Sequence, residues 1–125
     1  MNRIERMSVR GGPAVEALLG AACQAFQLRD IKIIKGRSRV HAIAQARCYI
    51  SSVLRGEGFR FSTPEIGKIL GGRNHSTVFY YLDVHEQNLQ DESYSRRVRE
   101  AEAIRARLSK KENATDKIAI KGEPE

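Results

Sequence analysis

The chain has 125 residues, a net charge of +7, 41% hydrophobic residues and no tryptophan. This length suits a single domain with one hydrophobic core. A membrane protein is excluded because no apolar run approaches the roughly 20 residues that cross a bilayer. The N-terminus also lacks the apolar segment of a secretory signal, so the sequence predicts a cytoplasmic protein. Positions 32–60 contain seven Lys and Arg residues against one acidic residue, and such a basic concentration favours a polyanionic partner.

Cysteine and histidine spacing indicates no metal site. Cys23 and Cys48 lie in helical patterns beside apolar residues, where thiols behave as small hydrophobic groups, so both are interpreted as buried thiols. His41 and His85 are interpreted as surface or packing residues, because no Cys/His spacing suits zinc. No pair of nucleophile and base stands out. The sequence therefore predicts neither a cofactor nor a catalytic residue.

The N-terminal third of the chain begins with a predicted flexible lead over residues 1–12. Apolar residues at helical spacing then predict an amphipathic helix over residues 13–27. The segment 30-DIKII-34 predicts one or two helical turns, with Asp30 as the N-cap. A polar, basic loop follows, 35-KGRSR-39.

A longer helix is predicted from Val40 to Leu54, with Arg47 and Ser51 on its polar face. Two glycines in the segment 55–61 break this helix and predict a loop or a short hairpin. One short run of this kind cannot support a sheet. The predicted fold class is therefore all-α.

The segment 62-STPEIGKILGG-72 predicts a short helix with defined ends. Ser62 and Glu65 form a capping box, in which each side chain binds the backbone amide of the other residue. Gly71 and Gly72 end the helix, one of them in the left-handed conformation. A second helix begins near residue 74 or 75. Two helices joined by a short turn that contains glycine are typical of a helix-turn-helix, whose second helix enters the major groove of DNA.

The second helix of this motif begins with the polar residues 74-NHST-77. The first turn of such a helix meets base edges, and short side chains that donate and accept hydrogen bonds suit that position. Asn74 is also a good N-cap, and the two roles are compatible. Tyr80 and Tyr81 follow a full turn later, where one is expected to pack in the core and the other to be exposed.

The predicted domain spans residues 13–108 and ends with a charged helix over residues 92–108. This helix is interpreted as a solvated amphipathic helix. The alternative is a contact with a protein partner or with a second copy of the chain. Residues 109–125 contain little apolar material and are predicted to form a flexible tail.

Residues 62–78 resemble a motif in the C-terminal DNA-binding domain of the bacterial replication initiator DnaA. The family motif is close to S-x-P-E-I-G-x-x-F-G-G-R-D-H-T-T-V, and this chain reads STPEIGKILGGRNHSTV over the same 17 positions. The resemblance covers about residues 14–90, because the upstream helices and the basic loop also follow the family order. It implies an all-helical bundle that contains a helix-turn-helix and binds a short site in double-stranded DNA, the DnaA box.

The resemblance also implies roles for individual residues. It assigns base contacts in the major groove to Asn74, His75 and Ser76. It assigns phosphate contacts around Arg73, Thr77, Gln45 and Thr63, and it places one loop arginine, Arg37 or Arg39, in the adjacent minor groove.

The chain departs from the family pattern in three places. Asn74 replaces an aspartate, and because asparagine donates as well as accepts and is the usual partner of adenine, we expect an altered base preference at that position. Ala42, Ile43 and Ala44 stand where the family has more arginines, which predicts weaker phosphate anchoring. The loop 55–61 is longer than the usual turn.

The family's initiator also carries an ATP-binding module, whereas this sequence has no G-x-x-x-x-G-K-[ST] phosphate loop and too few residues before the motif to hold such a module. The sequence therefore predicts a free-standing phage or bacterial regulator of replication or transcription. We expect it to bind double-stranded DNA sequence-specifically, to associate with the nucleoid and to have no ATPase activity. The alternative is a protein-interaction module that retains the fold and binds a replication or transcription partner.

Overall fold

The computed structural model describes the backbone of residues 12–121 and the side chains of residues 12–108. That part of the chain contains helices and no strand, which confirms the predicted all-α class. The helices are α1 (Gly12–Ala25), α2 (Ile31–Lys35), α3 (His41–Arg55), α4 (Thr63–Ile69), α5 (His75–Asn88) and α6 (Glu92–Lys121). The predicted flexible lead lies outside the described residues, except for Gly12, which begins α1.

Helix α3 is the centre of the bundle, because α1, α2, α4 and α5 all pack against it. Its buried aromatic residue, Tyr49, lies 6.3 Å from Phe26 between ring centroids, and Phe26 lies 5.9 Å from Tyr94 of α6. These three side chains are at most 1% exposed, and together they join the end of α1, the middle of α3 and the start of α6. Burial of such large apolar surfaces is the main force that holds the helices together.

The interpretation of Arg47 and Ser51 as polar-face residues of α3 is wrong. Arg47 is 3% exposed and Ser51 is fully buried. Both side chains lie on the apolar stripe of the helix, since Arg47 follows Ile43 by four residues and precedes Ile50 by three. Arg47 can be buried because nearby backbone carbonyls accept hydrogen bonds from its guanidinium group.

Both cysteines are buried, free thiols, as predicted. Burial raises the pKa of Cys48 to about 12 and also raises the pKa of Cys23. The thiols are therefore protonated at neutral pH and pack as small apolar groups. No helix in the described part of the chain has the length and apolar character needed to cross a membrane.

The predicted capping box opens α4. The Ser62 hydroxyl accepts a hydrogen bond from the Glu65 amide at 3.2 Å, and the Ser62 amide donates to the Glu65 carboxylate at 2.8 Å. Helices α4 and α5 then pack closely at Gly67, where a Cβ atom would lie 2.0 Å from the Arg73 carbonyl oxygen. The absence of a side chain at this position allows the turn after α4 to fold back against the helix.

Helix α6 continues to Lys121, beyond the end predicted near residue 108. Residues 109–121 include four Lys and two Ala, which have high helix propensity; their low apolar content does not stop the helix from continuing. The helix packs on α1, and Arg97 donates a hydrogen bond of 2.7 Å to the carbonyl oxygen of Ala25 at the end of α1.

A buried polar pair joins α5 to α6. The ring nitrogen Nδ1 of His85 lies 2.6 Å from the Tyr94 hydroxyl, and the two rings meet edge to face. His85 is therefore a packing residue, one of the two roles predicted for it, and burial lowers its pKa. His41 is exposed.

We expect Gly67→Ala to destabilise the domain by about 1–3 kcal/mol, because the new methyl group overlaps backbone that cannot move freely. Gly20→Ala is the matched control, since Gly20 also lies inside a helix but its added Cβ meets nothing within 4 Å. Alanine should stabilise α1 there by about 0.5–1 kcal/mol. Urea unfolding of both variants measures the difference; equal changes in the free energy of unfolding would contradict the close packing at Gly67.

The buried His85 predicts a loss of stability in mild acid. Its folded-state pKa is lowered by burial, so the unfolded chain takes up the proton more readily. The stability contributed by neutral His85 is complete above the unfolded pKa of about 6.5 and is lost as the pH falls through the folded pKa. Urea unfolding between pH 7.5 and 5 should show this decline, and His85→Gln should reduce it. If the stability of His85→Gln declines by the same amount, other titratable groups cause the decline.

Candidate nucleic-acid interface

The first turn of α5 presents polar groups outward. Asn74 is the N-cap, as predicted, and its side-chain oxygen accepts a hydrogen bond of 2.7 Å from the Ser76 amide. The side chains of Asn74, His75 and Ser76 are exposed, and Thr77 is half-buried. The capping bond therefore fixes the helix start and still leaves the Asn74 amide nitrogen open to solvent. The remaining free amides of this helix end favour an anionic ligand.

The second turn of α5 separates an inner face from an outer face. Val78 and Tyr81 are buried against the rest of the bundle, whereas Phe79 and Tyr80 are 51% and 63% exposed. This confirms that one tyrosine of the pair packs in the core and the other is exposed. The outer face of α5 thus continues from the polar first turn to two exposed aromatic rings.

The turn between α4 and α5 lies against the end of α2. Both Gly71 and Gly72 have a positive φ, +96° and +90°, whereas the sequence predicts this conformation for one of them. A Cβ atom on Gly71 would lie 2.2 Å from the Lys35 carbonyl oxygen. Glycine is required at this position for two reasons: the left-handed backbone and the close approach to α2.

Arg73 connects this turn to the basic loop. Its guanidinium group donates to the Tyr81 hydroxyl at 3.1 Å, to the Leu70 carbonyl at 2.6 Å and to the Gly36 carbonyl. These three acceptors belong to α5, to the end of α4 and to the loop after α2. Arg73 is a phosphate contact in the resemblance, but here its guanidinium group is engaged with protein acceptors.

Arg47 holds the same loop from the inside. Its guanidinium group donates to four backbone carbonyls at 2.7–3.3 Å, those of Ile33, Ile34, Gly36 and Ser38. The Gly36 carbonyl therefore accepts from both Arg47 and Arg73. Burial, and then the positive charge of Arg73, lower the pKa of Arg47. The side chain remains charged at neutral pH, and it fixes the conformation of the loop.

The other predicted contact residues differ in exposure. Arg37 and Arg39 are exposed on the loop that Arg47 and Arg73 hold, Gln45 is half-buried on α3, and Thr63 is 7% exposed at the start of α4. The structure thus brings the basic loop next to the turn that precedes α5. It leaves little of the Thr63 side chain accessible to a ligand.

The sequence pattern contained a signal for the roles of Arg47 and Phe79 that the predictions did not use. Arg47 falls on the apolar stripe of α3, which indicates a buried guanidinium group. Phe79 falls outside the apolar stripe of α5, which indicates an exposed ring. The described residues contain no group of three or more His, Cys, Asp or Glu side chains that could hold a metal ion.

An exposed polar helix start, a left-handed glycine turn and an adjacent basic loop define a DNA-binding helix-turn-helix domain. The family model for the bacterial DnaA protein helix-turn-helix matches residues 15–84. The chain belongs to this family.

The relatives are chromosomal replication initiator proteins DnaA. That of Roseiflexus castenholzii is 36% identical over 84 residues, which are 67% of this chain and 17% of the relative. That of Thermomicrobium roseum is 35% identical over 101 residues, 81% of this chain and 21% of the relative. That of Borreliella burgdorferi is 43% identical over 60 residues, 45% of this chain and 12% of the relative. The chain therefore spans about a fifth or less of the length of these relatives. No solved structure matches it.

We expect Arg47→Met to destabilise the domain by about 2–4 kcal/mol, because buried carbonyls lose a charged donor. Arg55→Met is the matched control: Arg55 is exposed at the end of the same helix and makes a single long bond of 3.3 Å to the Phe61 carbonyl. Its substitution should change the free energy of unfolding by less than about 1 kcal/mol. Similar values for the two variants in urea unfolding would show that Arg47 does not hold the loop.

Proposed function

We propose that this chain binds double-stranded DNA sequence-specifically, at a site like the DnaA box, through α4 and α5. The observation that carries the proposal is the attachment of the exposed first turn of α5 to the basic loop. Arg73 makes this attachment, since it bonds both to Tyr81 of α5 and to the Gly36 carbonyl of the loop. Two candidate DNA-contacting segments thus lie beside each other on one rigid frame.

In the proposed complex the first turn of α5 lies in the major groove. Asn74, His75 and Ser76 present exposed hydrogen-bonding groups there, and Thr77 lies at the edge of the same turn. Asn74 uses its oxygen for capping, so the amide nitrogen is the group that remains free to meet a base. A donor at this position suits an acceptor such as N7 of adenine or guanine, whereas the aspartate of the family motif can only accept. This difference supports an altered base preference.

The basic loop supplies the second set of proposed contacts. Arg37 and Arg39 are exposed, and the carbonyls of the loop are turned inward to Arg47 and Arg73. Because these carbonyls point inward, the arginine side chains are the groups of the loop that meet DNA in this proposal, either at phosphates or in the minor groove. Arg73 acts in this proposal as a positioning residue between the two segments, and Gln45 remains a phosphate contact at the loop's edge.

We further propose that the 125-residue chain acts as a nucleoid-associated regulator of replication or transcription without ATPase activity. Support comes from the family, whose model matches the helix-turn-helix, and from the absence of a phosphate loop in the sequence. In this proposal the domain acts by occupying a DNA site.

Selection of bound sequences from a random duplex pool tests the proposal and yields a defined site. On that site His75→Ala should weaken binding by about 1–3 kcal/mol and relax the base preference, while binding to random DNA changes little. The double variant Arg37→Ala/Arg39→Ala should weaken binding to both duplexes and flatten the salt dependence of the affinity.

Fluorescence anisotropy at several salt concentrations measures these effects. If His75→Ala loses equal affinity for selected and random DNA, this residue does not take part in base recognition. Failure of the pool to yield any preferred sequence would overturn sequence-specific binding, and an affinity that does not depend on salt would favour a protein-interaction module.

A further inference from the structure

Phe79 is an exposed aromatic side chain that no assigned role explains. It lies on the second turn of α5 and is 51% exposed. Its ring meets the ring of His75 edge to face, with 6.3 Å between the centroids. The two residues are four positions apart and so lie on the same helix face. Phe79 therefore extends the face of α5 that carries the proposed base contacts.

The position of Phe79 along the helix suits contact with the floor of the major groove. At 1.5 Å per residue it lies about 6 Å along the axis from His75, which is within two base-pair steps of duplex DNA at 3.4 Å each. The major groove presents one apolar group, the C5-methyl of thymine, and aromatic side chains contact it.

The charges around the Phe79 ring indicate which part of α5 can approach DNA. Exposed basic residues lie on the neighbouring segments, on the loop with Arg37 and on α4 with Lys68. Beyond Tyr80, the next exposed residues along α5 are acidic, Asp83 and Glu86, and these would repel phosphates. The part of α5 that approaches DNA thus ends with the second turn, and Phe79 is the apolar residue within it that contacts His75.

We propose that Phe79 is a specificity-determining residue that contacts the methyl group of a thymine beside the base pair read by His75. The proposal rests on the proposed function, because it requires α5 to lie in the major groove. The contact buries an apolar ring against an apolar group and excludes water from both. It would discriminate thymine from cytosine at that position, which lacks the methyl group.

The test removes the methyl group and the ring separately. Each thymine of the selected site is replaced in turn by deoxyuridine, which lacks the C5-methyl and keeps its base pairing. One such replacement should weaken binding of the unaltered chain about fourfold, which corresponds to about 0.8 kcal/mol at 1.4 kcal/mol per tenfold. Phe79→Ala should weaken binding to the thymine site by a similar or larger factor and then show no further loss on the deoxyuridine site.

Two further variants control this cycle. Leu89→Ala removes another exposed apolar side chain, at the far end of α5, and should leave both affinities unchanged. Phe79→Leu keeps an apolar side chain and should retain part of the sensitivity to the methyl group. Thermal unfolding of Phe79→Ala should match that of the unaltered chain, since the ring is half exposed.

Three results would overturn the proposal while DNA binding stands. They are an unchanged affinity of Phe79→Ala for the thymine site, the same deoxyuridine loss in Phe79→Ala as in the unaltered chain, or equal losses of Phe79→Ala on selected and random duplexes. The last result would assign the ring to a sequence-independent role in DNA binding, such as support of the position of α5. A random pool that yields no preferred duplex would instead overturn the proposed function, and this inference with it.

Discussion

The proposed DNA interface depends on one carbonyl group that accepts hydrogen bonds from two arginines. The Gly36 carbonyl oxygen accepts one hydrogen bond from Arg47, which lies in the interior, and another from Arg73, which lies in the turn before α5. Because bonds from charged donors are roughly twice as strong as neutral ones, this oxygen fixes the loop, the turn and α5 relative to one another. Burial is the first cause of the lowered pKa of Arg47, and repulsion by the nearby charge of Arg73 adds to it. The carbonyl oxygens around them offset this repulsion.

This arrangement divides the basic residues of the domain by role. Arg47 and Arg73 are engaged with backbone carbonyls and position the surface, whereas Arg37 and Arg39 remain free to meet a polyanion. All four contribute positive potential in one region, since a guanidinium group keeps its charge even where its hydrogen bonds are used inside the protein. The number of basic residues along the sequence therefore predicts the positive potential of this region, but it does not show which of these residues are free to contact a ligand.

Helix α5 combines residues that anchor the helix with residues of the proposed DNA contact within two turns. Asn74 caps the first turn of the helix. Val78 and Tyr81 attach the helix to the bundle, and Phe79 and Tyr80 between them face outward. The close approaches at Gly67 and Gly71 set the position of the turn that leads into this helix. Small changes in these approaches would tilt the outward face and displace each group that it presents.

The amino-acid pattern alone was enough to predict the helices, the capping box, the N-caps at Asp30 and Asn74, the glycine turn and the family. These features depend on local hydrogen bonds and on apolar periodicity, both of which are visible within a few residues. The folded structure was needed to show that Arg47 is buried and that Arg73 bonds to a loop 37 residues away in the chain. It also decided that α6 continues beyond residue 108 and that His85 faces Tyr94. Such contacts join residues far apart in the chain, and whether a charged side chain is solvated or satisfied by carbonyls depends on which segments fold around it.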